Sequence, residues 1–103
     1  MSFDDDMRTE TSRLFADAGE AAQYLPQGGG PIDTYVMVDR DVRPFPSGFE
    51  SQYAEPRTEI DLLAADVSTP ARGDQIQVGA ALWTVQDPLD RSPDGAVIRV
   101  SVR

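Results

Sequence analysis

The 103-residue chain contains no cysteine and no histidine, and all 9 of its basic residues are arginine. Missing thiols exclude a disulfide framework, a thiolate metal site and a cysteine nucleophile. Missing imidazoles exclude every His-dependent triad within the chain and the commonest zinc ligand. Without lysine there is neither Schiff-base chemistry nor the lysine of a phosphate-binding loop. Apolar runs extend only a few residues, far short of the roughly 20 that a membrane-spanning helix needs. Acidic residues outnumber basic ones 18 to 9, a net charge of -9 whose field repels phosphate backbones and anionic membrane surfaces. The opening Met1-Ser2-Phe3-Asp4-Asp5-Asp6 lacks the basic and apolar regions of an export signal, so a cytoplasmic origin is expected.

What is present fits one small core with long loops: 40% hydrophobic and 26% charged residues, with 8 Gly and 8 Pro. Residues 4 to 18 read as a modest amphipathic helix, with Met7, Leu14 and Ala18 on one face and Phe15 beside them. Asp4 to Asp6 sit at its positive dipole end, and Gly19 stands where a left-handed cap would end it. So few apolar residues cannot hold a helix alone, so it must dock on another surface, a neighbouring subunit being one candidate. The chain thus divides into an N-terminal arm over 1–19 and a small β domain over 20–103.

Ala21 to Leu25 is ambiguous, and Pro26 to Pro31, with three consecutive glycines, breaks any regular element. Ile32 to Asp39 is a strand with Ile32, Thr34, Val36 and Val38 on one face. Arg40 to Pro56 reads as a long irregular loop carrying Phe45, Phe49 and Tyr53. Arg57 to Ala65 alternates again, with Glu59, Asp61 and Leu63 on the face opposite Ile60 and Leu62. After a turn over Pro70 to Asp74, Gln75–Val78 and Leu82–Val85 flank a glycine bend as a hairpin. Asp87 to Gly95 reads as a second polar loop, and Ala96 to Val102 as a last strand with Ile98, Val100 and Val102 on one face. The expected fold is mainly β: a small antiparallel barrel or sandwich with an N-terminal helix and a long central loop.

Carboxylates are the abundant reactive groups. Asp87, Asp90 and Asp94 offer oxygen ligands, but the stretch lacks the alternation and terminal glutamate of a calcium loop. Glu59 and Asp61 share a strand face and could form an acid and base pair, although a solvent face explains them as well. Gly28-Gly29-Gly30 leads into a strand, not a helix, which argues against a phosphate loop, and Arg72-Gly73-Asp74 reads as a turn device and not an adhesive tripeptide. No catalytic, cofactor or metal site is therefore expected. Trp83, in an alternating strand, is expected in the core. Phe45, Phe49 and Tyr53 either anchor an interface or fold back over a barrel end.

The run Arg72-Gly73-Asp74-Gln75-Ile76-Gln77-Val78-Gly79-Ala80-Ala81-Leu82-Trp83-Thr84-Val85, followed by Pro88 and then Asp94-Gly95-Ala96-Val97-Ile98-Arg99-Val100, resembles the small head-tail joining (attachment) proteins of long-tailed phages and prophages. The resemblance implies a non-enzymatic neck protein of the virion, assembled in the host cytoplasm. It further implies a ring, a hexamer on the family's pattern, between the portal or adaptor ring and the tail. DNA would pass through the channel without being held tightly, and no cofactor or membrane is involved. The interface residues expected on this reading are Phe45, Phe49, Tyr53, Met7, Leu14 and Phe15. Another virion ring or a tail-terminator protein is the nearest alternative, and a carboxylate-based hydrolase the alternative of a different kind.

Overall fold

The structure is a computed structural model that describes residues 3–42 and 57–103, with side chains described over 10–40 and 57–103. One helix, α1 (Phe3–Ala18), precedes six strands: β1 (Glu20–Leu25), β2 (Ile32–Val42), β3 (Arg57–Leu63), β4 (Gln75–Val78), β5 (Ala81–Arg91) and β6 (Val97–Val102). All pairings are antiparallel, and the order β1-β2-β3-β6-β5-β4 closes into a barrel through the β1–β4 pair. Closure leaves no edge strand exposed to pair with another chain. The expected alternatives of barrel and sandwich thus resolve to a barrel, with the expected N-terminal helix.

Alternation fixes which side chains fill it. Ala22, Tyr24, Val36, Ile60, Leu62, Ile76, Val78, Val85, Ile98, Val100 and Val102 all occupy every-second positions on their strands and form the interior with Val67. Most are β-branched or small, as a narrow six-stranded interior requires. Trp83 pairs with Ile76 across the hairpin and packs half-buried against this cluster, so it belongs to the core as expected, although its indole N–H is buried without a partner among the described residues.

The hairpin forms between β4 and β5, where Val78 opposes Ala81 across Gly79-Ala80. Gly79 has φ +57°, the left-handed conformation that a glycine adopts without steric cost. Gly19 departs from its expected role. It is not in the left-handed region; its N–H donates to the Phe15 carbonyl at 2.8 Å, and an added Cβ would lie 2.6 Å from the carbonyl oxygens of both Phe15 and Val36. Glycine is needed there because helix and barrel backbones approach too closely for any side chain.

Two strands run further than the sequence suggested. β2 continues through Arg40 to Val42; 43–56, with Phe45, Phe49 and Tyr53, lies outside the described residues. β5 continues through Asp87 and Pro88 to Arg91, where a loop had been expected. Register shifts between Val85 and Asp87 and between Pro88 and Asp90 absorb extra residues, so the alternation that marks a strand is lost while the pairing with β6 persists. The remaining connection is a tight turn in which Ser92 Oγ donates to Asp94 at 2.6 Å and the Ala96 N–H to the same carboxylate at 3.0 Å. The Ser92 hydroxyl, then the Ala96 amide, hold the Asp94 carboxyl below the usual range.

The helix lies against β2, touching β1 and β3 as well. Phe15 and Leu63 are buried yet lie outside the interior cluster, so they belong to the seam between helix and outer wall. The helix therefore docks on its own barrel.

Candidate assembly surfaces

The most buried polar contact joins β1 to the turn before β4. Tyr24, 1% exposed, donates its hydroxyl to Asp74 Oδ2, and Asp74, 5% exposed, accepts the Ala71 N–H at 3.1 Å through the same oxygen and the Gln27 N–H at 3.0 Å through Oδ1. A buried carboxylate is tolerated when several donors replace its water. Burial, then the bond to Asp74, pushes the Tyr24 phenol well above its ordinary value. Asp74 thus works as a lock inside the fold. The Arg72-Gly73-Asp74 tripeptide is correspondingly not displayed, and Arg72 instead bonds Asp87 at 3.0 Å and the Gln86 carbonyl at 2.9 Å.

One wall of the barrel is an ion-pair lattice. The register aligns Asp39, Glu59, Ser101 and Asp87 across β2, β3, β6 and β5, with Asp61 beside Arg99 in the adjoining row. Arg99 reaches Asp61 at 2.9 Å, Asp39 at 3.0 Å and Glu59 at 3.2 Å, while Arg57 donates to the other oxygen of Glu59 at 2.8 Å. Burial works against the Arg99 charge, but Asp61 and the other carboxylates outweigh it and hold the guanidinium above its ordinary pKa. Glu59 is 4% exposed, which corrects the expectation of a solvent face for this strand; Leu63, also expected there, is buried near α1. Glu59 and Asp61 do share a side of the strand, but arginines hold both oxygens of Glu59 and Oδ1 of Asp61, tying both carboxylates into ion pairs.

The opposite wall is poor in charge. Asp33, Gln23, Gln77 and Leu82 form one row across β2, β1, β4 and β5, and Tyr35 opposes Ala21 in the next. Tyr35 and Leu82 are two of the three large hydrophobic side chains exposed among the described residues, at 41% and 51%; the third is Leu14 of α1, at 57%. A groove of about 470 Å³ runs here, lined by Ala21, Gln23, Tyr35 and Gln77 with Asp33 and Asp66 as its charges.

Of the expected interface residues, Leu14 is exposed. Phe15 is 3% exposed and holds the helix to the barrel, which removes its ring from any free surface. Met7 lies on α1 with its side chain outside the described residues, as are Phe45, Phe49 and Tyr53. Tyr35 and Leu82 were not singled out from the sequence, although both occupy outward positions of alternating strands where a large apolar residue is the exception.

Among the described residues, no group of three acidic side chains is placed to hold a metal ion, and no helix is long and apolar enough to cross a membrane. What the two walls offer is contact: a charged face locked by arginines and a smoother face with exposed apolar side chains. A search of curated proteins finds no match to the sequence. A family match, in contrast, spans α1 and all six strands: over residues 3–102 the chain belongs to the Phage Head-Tail Attachment protein family, a structural family whose members join phage heads to tails.

Proposed function

We propose that this protein acts as a ring in the virion neck, seated on the portal or its adaptor and presenting a surface to the tail. The observation that carries the reading is the family match over nearly the whole chain, helix included. The physical character of the molecule supports it. A closed barrel with locked ion pairs is a rigid block suited to repeated stacking, and a -9 charge suits a channel through which DNA slides without being held. Joining is a binding task, performed without catalysis or cofactor, and assembly takes place in the host cytoplasm. Leu14 and Met7 on the helix, with Phe45, Phe49 and Tyr53, supply contacts of this joint, aromatic and aliphatic anchors being the side chains that dominate interface energies.

Electron microscopy of tail-less heads incubated with the purified protein tests this. A new ring of density at the portal vertex is expected. Heads that remain bare while tails acquire the density would reassign the protein to tail termination.

A further inference from the structure

The two walls of the barrel treat their carboxylates differently. On the lattice wall Asp39, Glu59, Asp61 and Asp87 each meet an arginine. Asp33 and Asp66, beside Tyr35 on the other wall, meet none among the described residues. Each is held instead by a neutral donor through one oxygen. Gln23 donates to Asp33 Oδ1 at 3.1 Å, and the Thr34 hydroxyl to Asp66 Oδ2 at 2.8 Å. The second oxygen of each carboxylate accepts no hydrogen bond among the described residues.

The sign of the groove of about 470 Å³ that these two residues line selects its occupant. Two carboxylates without a cation, in a body of net charge -9, repel the phosphates of nucleic acid and acidic chains and attract a basic one. The rest of the lining supplies aromatic and apolar surface, with Tyr35 41% exposed beside Ala21 and Ala22. A tyrosine ring face attracts a guanidinium or ammonium, and the methylene stem of an arginine or lysine packs on apolar surface while its head reaches a carboxylate.

We propose that the groove beside Tyr35 receives a basic segment of a partner protein, with an arginine or lysine side chain crossing Tyr35 to reach Asp33 and Asp66. Assigning that segment to a head or tail component rests on the joining role given above; the preference of the groove for a cation does not.

Titration of the isolated protein with a capped leucine-arginine-leucine peptide reads the groove directly, against the same peptide carrying citrulline, a neutral isostere of arginine. Amide resonances of Ala21, Gln23, Tyr35 and Gln77 should shift and saturate with the arginine peptide. The citrulline peptide should bind about tenfold more weakly, as loss of a charge-assisted contact implies. Asp33→Asn combined with Asp66→Asn leaves acceptors for Gln23 and Thr34 and removes the charge. This double variant should keep its melting temperature and lose the preference for arginine. Equal affinity for the two peptides, or a preference that survives the double variant, would overturn the cation site. The same shifts produced by a short DNA duplex would overturn it too. A wild-type dimer that the double variant disperses would put a second copy in the groove and overturn the partner assignment. With separate heads and tails, the double variant should lower the yield of infectious particles several-fold. A wild-type yield would overturn the assignment to a head or tail component. If the wild type binds the peptide but adds no infectious particles, the joining role fails and the cation site stands.

Discussion

Tyr24 and Asp74 are 50 residues apart in sequence and meet where β1 ends and the turn before β4 begins. Replacing Asp74 by Ala strands the Tyr24 O–H and the Gln27 amide, while the Ala71 N–H keeps the Tyr24 oxygen at 3.3 Å, and orphaned buried groups cost about 1 to 3 kcal/mol each. Asp74→Ala should therefore lose at least about 2 kcal/mol in urea unfolding, on the same scale. Tyr24→Phe should lose less, because the two amides still serve the carboxylate. The phenol also sets a pH dependence. Its pKa is raised in the folded state, so the unfolded chain ionises first. This contribution to stability is intact below the unfolded value of about 10 and declines above it, by about 1.4 kcal/mol per pH unit for one proton. Urea midpoints at pH 8 and pH 11 should separate for the wild type and separate less for Tyr24→Phe; equal separations would place the alkaline loss elsewhere.

At the scale of elements, the joint between α1 and the barrel depends on Gly19 and Phe15. A methyl at 19 would press on two carbonyl oxygens, and overpacking of this kind costs about 1 to 3 kcal/mol. Gly19→Ala should lower the melting temperature by roughly 4 to 24 °C in calorimetry, given about 4 to 8 °C per kcal/mol for a domain near this size. A change within 1 or 2 °C would contradict the close approach. Much of the fold was legible because alternation is local: the inward faces of β2, β3 and β6 follow from Val36, Ile60, Leu62, Ile98, Val100 and Val102 alone. β5 beyond Gln86 was not, because its register shifts break the period of two while keeping the ladder. The burial of Glu59 was also hidden, since it depends on Arg99 arriving from a strand that is distant in sequence and adjacent only after folding. Tyr35 and Leu82 became visible as a shared wall once the β1–β4 pairing was in place.

For the whole molecule, net charge governs association. A -9 body opposes copies of itself at low ionic strength, and salt shortens that repulsion to about 3 Å at 1 M. Sedimentation at micromolar concentration should show a monomer at low salt and larger species as salt rises; a tight hexamer at low salt without heads would contradict this control of association by charge. A structural part of the particle acts in fixed proportion to heads, and stoichiometry separates a part from a catalyst. Purified protein titrated into a fixed number of tail-less heads with excess free tails should raise the yield of infectious particles until each head holds its full complement, and then no further. The saturating amount should scale with the number of heads and not with incubation time. A yield that climbs to completion with far fewer protein molecules than heads, given enough time, would show turnover and contradict the structural role.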